Sequence, residues 1–197
     1  MSDFYQNGII TNLHNLRVQD TESLEAELLA FSKVRPMGLV LPSLYSELLS
    51  PALGNIVEEL KEVKYLQQIV VGLDLATKYE YKDALNYFSK LPQNHVVLWN
   101  DGPRLKALDK KLHKLKLAPK EMGKGRNVWY CFGYILAANK VESVALHDCD
   151  IVTYTRDMLA RLIYPVANPG FNYQFCKGYY SSCLLYTSPS PRDVEEA

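Results

Sequence analysis

Apolar residues along this chain gather in short runs, and the stretches between them carry helical spacing. The runs are "MGLVLP" (37–42), "LQQIVVGLD" (66–74), "HVVLWN" (95–100), "SVALHDCD" (143–150) and "FNYQFCKGYY" (171–180). Near-continuous runs of this length predict strands buried on both faces, the habit of a parallel sheet. Helices are predicted over "TESLEAELLAFSK" (21–33), "SPALGNIVEELKEV" (50–63), "YEYKDALNYFSKL" (79–91), "PRLKALDKKLHKLKL" (103–117), residues 126–139 and "RDMLARLIYPV" (156–166). Asp20 or Thr21 is placed to cap the first helix, and Pro51 suits the first turn of the second. Strands alternating with helices predict an α/β fold, a mostly parallel sheet with helices on both faces. No internal repeat is visible.

Composition narrows the classes of function. Lys and Arg balance Asp and Glu at 22 each, so the formal net charge is zero and a dedicated nucleic-acid or anionic-membrane surface is not expected. No apolar run approaches the roughly 20 residues that span a bilayer. "MSDFYQNGII" lacks the basic and apolar regions of a signal peptide. Cys131, Cys149, Cys176 and Cys183 show no CxxC spacing, which argues against a zinc site and suits reduced thiols in a cytoplasmic protein.

In open α/β sheets ligands bind at the carboxyl ends of the strands. Here those ends read "LPSLYSE" (41–47), "VGLD" (71–74), "WNDG" (99–102) and "HDCD" (147–150), and three of the four finish in an acid. Asp148 and Asp150 stand at i and i+2, so on an extended chain both face one side. Like charges held side by side repel unless a cation or a set of donors lies between them. Asp74 is open to two roles, contact with a ribose or base edge or the N-cap of the next helix. Asp101 suits the Asn-Asp-Gly-Pro turn. Glu47 suits either the approach to a nucleotide or the first turn of a helix, where an anion is welcome. His147, preceding Asp148, is expected to face away from both carboxylates as a core histidine. In "EMGKGRN" (121–127) Gly123 and Gly125 flank Lys124 ahead of a helix, an arrangement that lets backbone N–H groups and an ammonium approach a phosphate together. The spacing is not that of a Walker A motif. Trp129, Tyr130, Phe132 and Tyr134 are expected to pack a helix on the sheet, and Lys106, Lys110, Lys111, Lys114 and Lys116 to form a solvated helix face.

The order "LVLPSLYSE", "VVGLD", "GKGRN", "HDCD", "FCKGYY" resembles the retaining nucleotide-sugar glycosyltransferases that include glucosyl-3-phosphoglycerate synthase, over roughly residues 1–180. The resemblance implies a GT-A fold, dependence on Mg²⁺ or Mn²⁺, and transfer of glucose from an NDP-glucose donor to a 3-phosphoglycerate acceptor with retained anomeric configuration. It implies no protein nucleophile. Asp150 would ligate the metal and Asp148 hold the ribose side. Lys124, between Gly123 and Gly125, would contact the nucleotide and assist the leaving diphosphate. Pro42, Ser43, Leu44 and Glu47 would line the base and ribose pocket, with Gly72 and Asp74 opposite. A homodimer is implied at full length. "PSLYSE" stands where related bacterial enzymes read Pro-Ala-Leu-Asn-Glu-Glu, and "GLDLAT" replaces an Asp-Ser-Gly-Ser-Thr-Asp segment. The family's acceptor-phosphate loop and a metal-binding histidine lie beyond "KGYY", so the fragment is expected to be inactive alone. A relative using another donor or acceptor (GDP-mannose, glycerate), or a non-catalytic nucleotide-sugar binder, remains a second reading of the same residues.

Residues 183–193, "CLLYTSPSPRD", resemble the translation of a transposase-type sequencing adapter. The domain is therefore expected to occupy residues 1–180, with 181–197 as a non-native tail. That tail holds one Arg, one Asp and two Glu, which leaves residues 1–180 with 21 basic and 19 acidic side chains.

Overall fold

The structure, a computed structural model, describes residues 20–171 and 173–178. Its elements run α1 (Thr21–Phe31), β1 (Met37–Leu44), a 3-10 turn (Tyr45–Leu49), α2 (Pro51–Lys61), β2 (Leu66–Asp74), α3 (Lys78–Phe88), β3 (His95–Trp99), α4 (Pro103–Lys114), α5 (Lys124–Ala138), β4 (Ser143–Leu146) and α6 (Arg156–Ala167). Local chemistry accounts for the helix starts. Asp20 Oδ1 accepts from Ser23 N at 2.7 Å, so the first cap is Asp20 rather than Thr21. Thr77 and Glu80 close a reciprocal capping box on α3, and Pro51 opens α2.

The four strands pair in parallel in the order β3-β2-β1-β4. The chain builds outward from β1 through β2 to β3, then crosses back to place β4 on the other side of β1. The order therefore reverses between β1 and β4, and the crevice at their carboxyl ends is where a sheet of this kind receives a ligand. Side chains alternate across the sheet. Leu39, Leu41, Ile69, Val71 and Leu73 pack with the apolar faces of α1, α2, α3 and α6, whereas Val40 and Val70 pack beneath Cys131 and Ile135 of α5. Both faces are thus covered, as the unbroken runs predict.

Two expected strands change. β4 stops at Leu146, and "HDCD" leaves the sheet in a turn. Residues 171 and 173–178 form no strand, so the sheet among the described residues has four strands rather than five; residues 172, 179 and 180 of that run lie outside the described residues, as does the 181–197 tail. α4 ends at Lys114 rather than near 117; its Lys106, Lys110, Lys111 and Lys114 are exposed as expected, and Lys116, also exposed, lies past its end. α5 starts two residues earlier than predicted, at Lys124. No helix among the described residues is long and apolar enough to cross a membrane.

Candidate functional site

A cavity of about 500 Å³ opens at the carboxyl ends of β1 and β2, against the N-terminus of α5. Pro42, Ser43, Leu44 and Glu47 form one wall, Asp74 and Leu75 another, and Gly123, Lys124 and Asn127 a third. Asp148, Cys149 and Asp150 complete it.

The β1 wall follows from where β4 ends. β1 pairs with β4 only from Met37 to Val40, and His147 N donates to Val40 O at 3.1 Å as the last link. Pro42 lies two residues on, on the same side of the strand, where β4 has already turned away. Having no N–H, Pro42 leaves no donor unpaired in the gap. Ser43 is buried, and its hydroxyl donates to Leu44 O at 3.0 Å. Glu47 lines the cavity, but its Oε2 accepts from Leu44 N at 2.9 Å across the 3-10 turn. Of its two expected roles, the turn contact is made in this structure.

The third wall is the start of α5. Gly123 precedes it at φ +126°, a conformation that L side chains rarely adopt, and no side chain caps the helix. Asn127 N closes the first turn onto Gly123 O, so the amides of the intervening residues have no partner within the helix. A 15-residue helix thus presents its positive end to the cavity, with the Lys124 ammonium beside it. Lys124 Nζ lies 2.5 Å from Asp148 Oδ1, an ion pair between half-exposed groups. Gly125 sits within the first turn and does not line the cavity.

The two aspartates reach one side by a route other than the extended strand expected for them. In the turn after β4 they alternate with Cys149, which is buried, so Asp148 and Asp150 stay out and the cysteine goes in. Burial pushes the Cys149 thiol up, away from reactivity. His147 is buried edge-to-face on Tyr154 at 5.3 Å, and burial holds its pKa down at about 4, a neutral core histidine as expected. Among the described residues no cluster of three or more His, Cys, Asp or Glu side chains is placed to hold a metal. Two carboxylates on a cavity wall nevertheless fit a hard cation such as Mg²⁺, which takes one or two protein carboxylates and fills its remaining positions with phosphate oxygens and water.

Two expectations for β2 change. Gly72 does not line the cavity; it lies under α5, where Asn127 Nδ2 donates to Gly72 O at 2.8 Å. A Cβ at Gly72 would meet Asn127 Oδ1 at 1.7 Å, so the glycine is needed for close approach of helix and strand. Asp74 is not a helix N-cap, since Thr77 fills that place. It is buried on the cavity wall with Arg126 Nη2 at 3.7 Å from its Oδ1. Burial raises its pKa above the usual carboxylate value, and the Arg126 guanidinium opposes that rise. Arg126 and Asn127 were passed over as site residues in the sequence, although both stand in the quoted "GKGRN". Asp101 sits in its expected turn and also accepts from Ala76 N at 3.1 Å. Among the expected packing aromatics Tyr130 is buried and donates its hydroxyl to Asp109, while Trp129 is exposed.

A parallel sheet reversing order at a crevice, with acids after its last strand and a helix N-terminus opposite, is an α/β fold of the GT-A type. The same fold occurs in the crystal structure of glucosyl-3-phosphoglycerate synthase from Mycobacterium tuberculosis in complex with Mn²⁺, UDP and glucosyl-3-phosphoglycerate. The TM-score is 0.50 at 19% identity, over 80% of this chain and 47% of that one. Curated homologues of the chain are glucosyl-3-phosphoglycerate synthases. The protein of Persephonella marina is 47% identical over 181 residues, and that of Methanococcoides burtonii 38% over 185. These matches take in 92% and 93% of this chain but 45% of each relative, so the chain spans about half the length of the curated relatives it matches. No family model matches the chain.

Proposed function

We propose that residues 1–180 form the donor-binding part of a metal-dependent, retaining glucosyltransferase that moves glucose from an NDP-glucose to 3-phosphoglycerate, and that residues 181–197 are foreign to that domain. One observation carries this reading: the cavity gathers the end of β1, the unpartnered start of α5 with Lys124, and the Asp148–Asp150 turn into one crevice. The two curated relatives and their name support the substrate pair.

Each wall takes one part of a nucleotide-sugar. Pro42, Ser43, Leu44 and Glu47 line the nucleoside half, with Asp74 opposite. The amides after Gly123 and the Lys124 ammonium meet the diphosphate, where negative charge grows as the glycosidic bond breaks; donors already fixed in place stabilise that charge without reorganising. Asp148, ion-paired to Lys124, orients the ammonium and faces the ribose side. Asp150 is the proposed ligand for Mg²⁺ or Mn²⁺, and a bound ion would neutralise charge on the diphosphate. No side chain acts as a nucleophile. This reading places the acceptor hydroxyl and its phosphate outside the donor-binding part. The same reading takes the protein as cytoplasmic, acting without nucleic acid or membrane, and homodimeric at full length.

The test measures binding and turnover separately. The 197-residue chain, and a chain completed with the unmatched part of the Persephonella marina relative, are titrated with UDP and GDP in Mn²⁺. Both are then assayed for NDP release from NDP-glucose with and without 3-phosphoglycerate. Nucleotide binding by both and acceptor-dependent release by the completed chain alone is the expected result. Robust acceptor-dependent turnover by residues 1–180 would put the acceptor site in this half. Failure of both chains to bind any nucleoside diphosphate would end the donor-site reading.

A further inference from the structure

We infer that Arg126 determines specificity in this site by holding the Asp74 carboxylate as a charged acceptor for an N–H or O–H donor on the nucleoside half of the ligand. The inference rests on the donor-site reading above. Asp74 is 5% exposed, lines the cavity, and its Oδ1 has no hydrogen-bond partner. That oxygen is closed to solvent and faces Arg126, so Arg126 balances the charge from behind while a ligand donor in the cavity would meet the other carboxylate oxygen. Arg126 Nη2, at 3.7 Å, is near enough to balance the charge yet too far to fill the acceptor itself, and Arg126 Nε is also unpartnered. The side chains are 11% and 7% exposed, so water screens the pair little. Immediately after Asp74 the chain turns through Leu75 at φ +53°, unusual for a branched residue, which fixes where the strand end and its carboxylate sit.

Charge decides what this acceptor recognises. Asp101 lies close enough to disfavour ionisation of Asp74, and burial does so more strongly. Removing Arg126 takes away the largest influence opposing that rise in pKa and moves the carboxyl toward its protonated form, a poorer acceptor for a ligand donor. Ribose hydroxyls and the N–H edges of uracil and guanine carry such donors, whereas a diphosphate carries none. Arg126 therefore acts on the nucleoside half and leaves the diphosphate end, at Lys124, untouched.

The experiment uses the 197-residue chain with Mn²⁺ and isothermal titration of UDP, GDP, their 2′-deoxy forms and pyrophosphate. Arg126→Gln is expected to weaken nucleoside diphosphates by about 10-fold or more, the worth of a hydrogen bond to a charged group. Pyrophosphate should change by less than ~2-fold and Arg126→Lys should recover most of the loss, since both follow from a charge acting only on Asp74. In an Asp74→Asn background the same substitution should add little. If the 2′-deoxy forms alone lose their sensitivity to Arg126→Gln, the donor is the ribose 2′-hydroxyl; if they keep it, the donor is the 3′-hydroxyl or the base edge. Unchanged nucleotide affinity in Arg126→Gln would overturn the inference. So would equal loss of nucleotide and pyrophosphate that Arg126→Lys does not restore, because that pattern belongs to a purely structural role. If wild type binds pyrophosphate but no nucleoside diphosphate, the donor-site reading itself is what has failed.

Discussion

Gly72→Ala is a one-methyl change whose cost follows directly from the contact between β2 and α5. The added Cβ would lie 1.7 Å from Asn127 Oδ1 and 2.6 Å from Cys131 Sγ, well inside van der Waals contact. Neither neighbour yields easily: Asn127 is 2% exposed and donates to Gly72 O at 2.8 Å, and Cys131 is buried in the core under α5. Overpacking of this kind costs about 1–3 kcal/mol. Breaking the Asn127 bond strands a buried carbonyl and amide for about 1–3 kcal/mol more. Partial relief by tilting α5 should leave a net loss of roughly 3 kcal/mol, or about 6–12 °C in Tm for a chain of this length. The tilt moves Gly123 and Lys124 with the helix, so nucleotide affinity should fall as well. Urea melts of Gly72→Ala, Asn127→Ala and the double variant supply the test. Because Asn127→Ala removes the closest contact, the double variant should lose less than the sum of the singles. A single-variant loss under ~0.5 kcal/mol, or strict additivity, would refute the clash.

The remaining predictions concern the cavity and a helix cap. Asp150→Ala should weaken Mn²⁺-supported nucleotide binding more than Asp148→Asn, and affinity that a chelator leaves unchanged would contradict the role given to Asp150. Gly123→Ala forces a side chain onto φ +126°, which should cost about 1–3 kcal/mol in urea melts and displace the anion-binding amides. Thr77→Ala removes the hydroxyl that caps Glu80 N at 3.3 Å and should cost about 1 kcal/mol while leaving nucleotide affinity unchanged.

Element content and chemical type were legible from the sequence because both depend on short-range signals. The run "LQQIVVGLD" became β2 with its predicted ends, and the Pro51 and Asp20 signals start α2 and α1 as expected. Motif order placed Lys124, Asp148 and Asp150 in one site, and all three line one cavity. Apolar content overreached at "SVALHDCD", where the strand ends once β1 no longer offers a partner, and at 171–178, where no strand forms among the described residues. A run's hydrophobicity states that it is buried, not that a neighbouring strand accepts its hydrogen bonds.

Alternating periodicity by itself determined a parallel α/β sheet with acids and a Gly-Lys-Gly segment near its strand ends. The tertiary structure decided which ends converge. The order β3-β2-β1-β4 opens the crevice beside Pro42, and the crossover through α4 and α5 brings Asn127 onto Gly72 and Arg126 onto Asp74. Those partners lie more than fifty residues apart, beyond the reach of any local period, and only the packing of α5 across β1 and β2 settles that they meet.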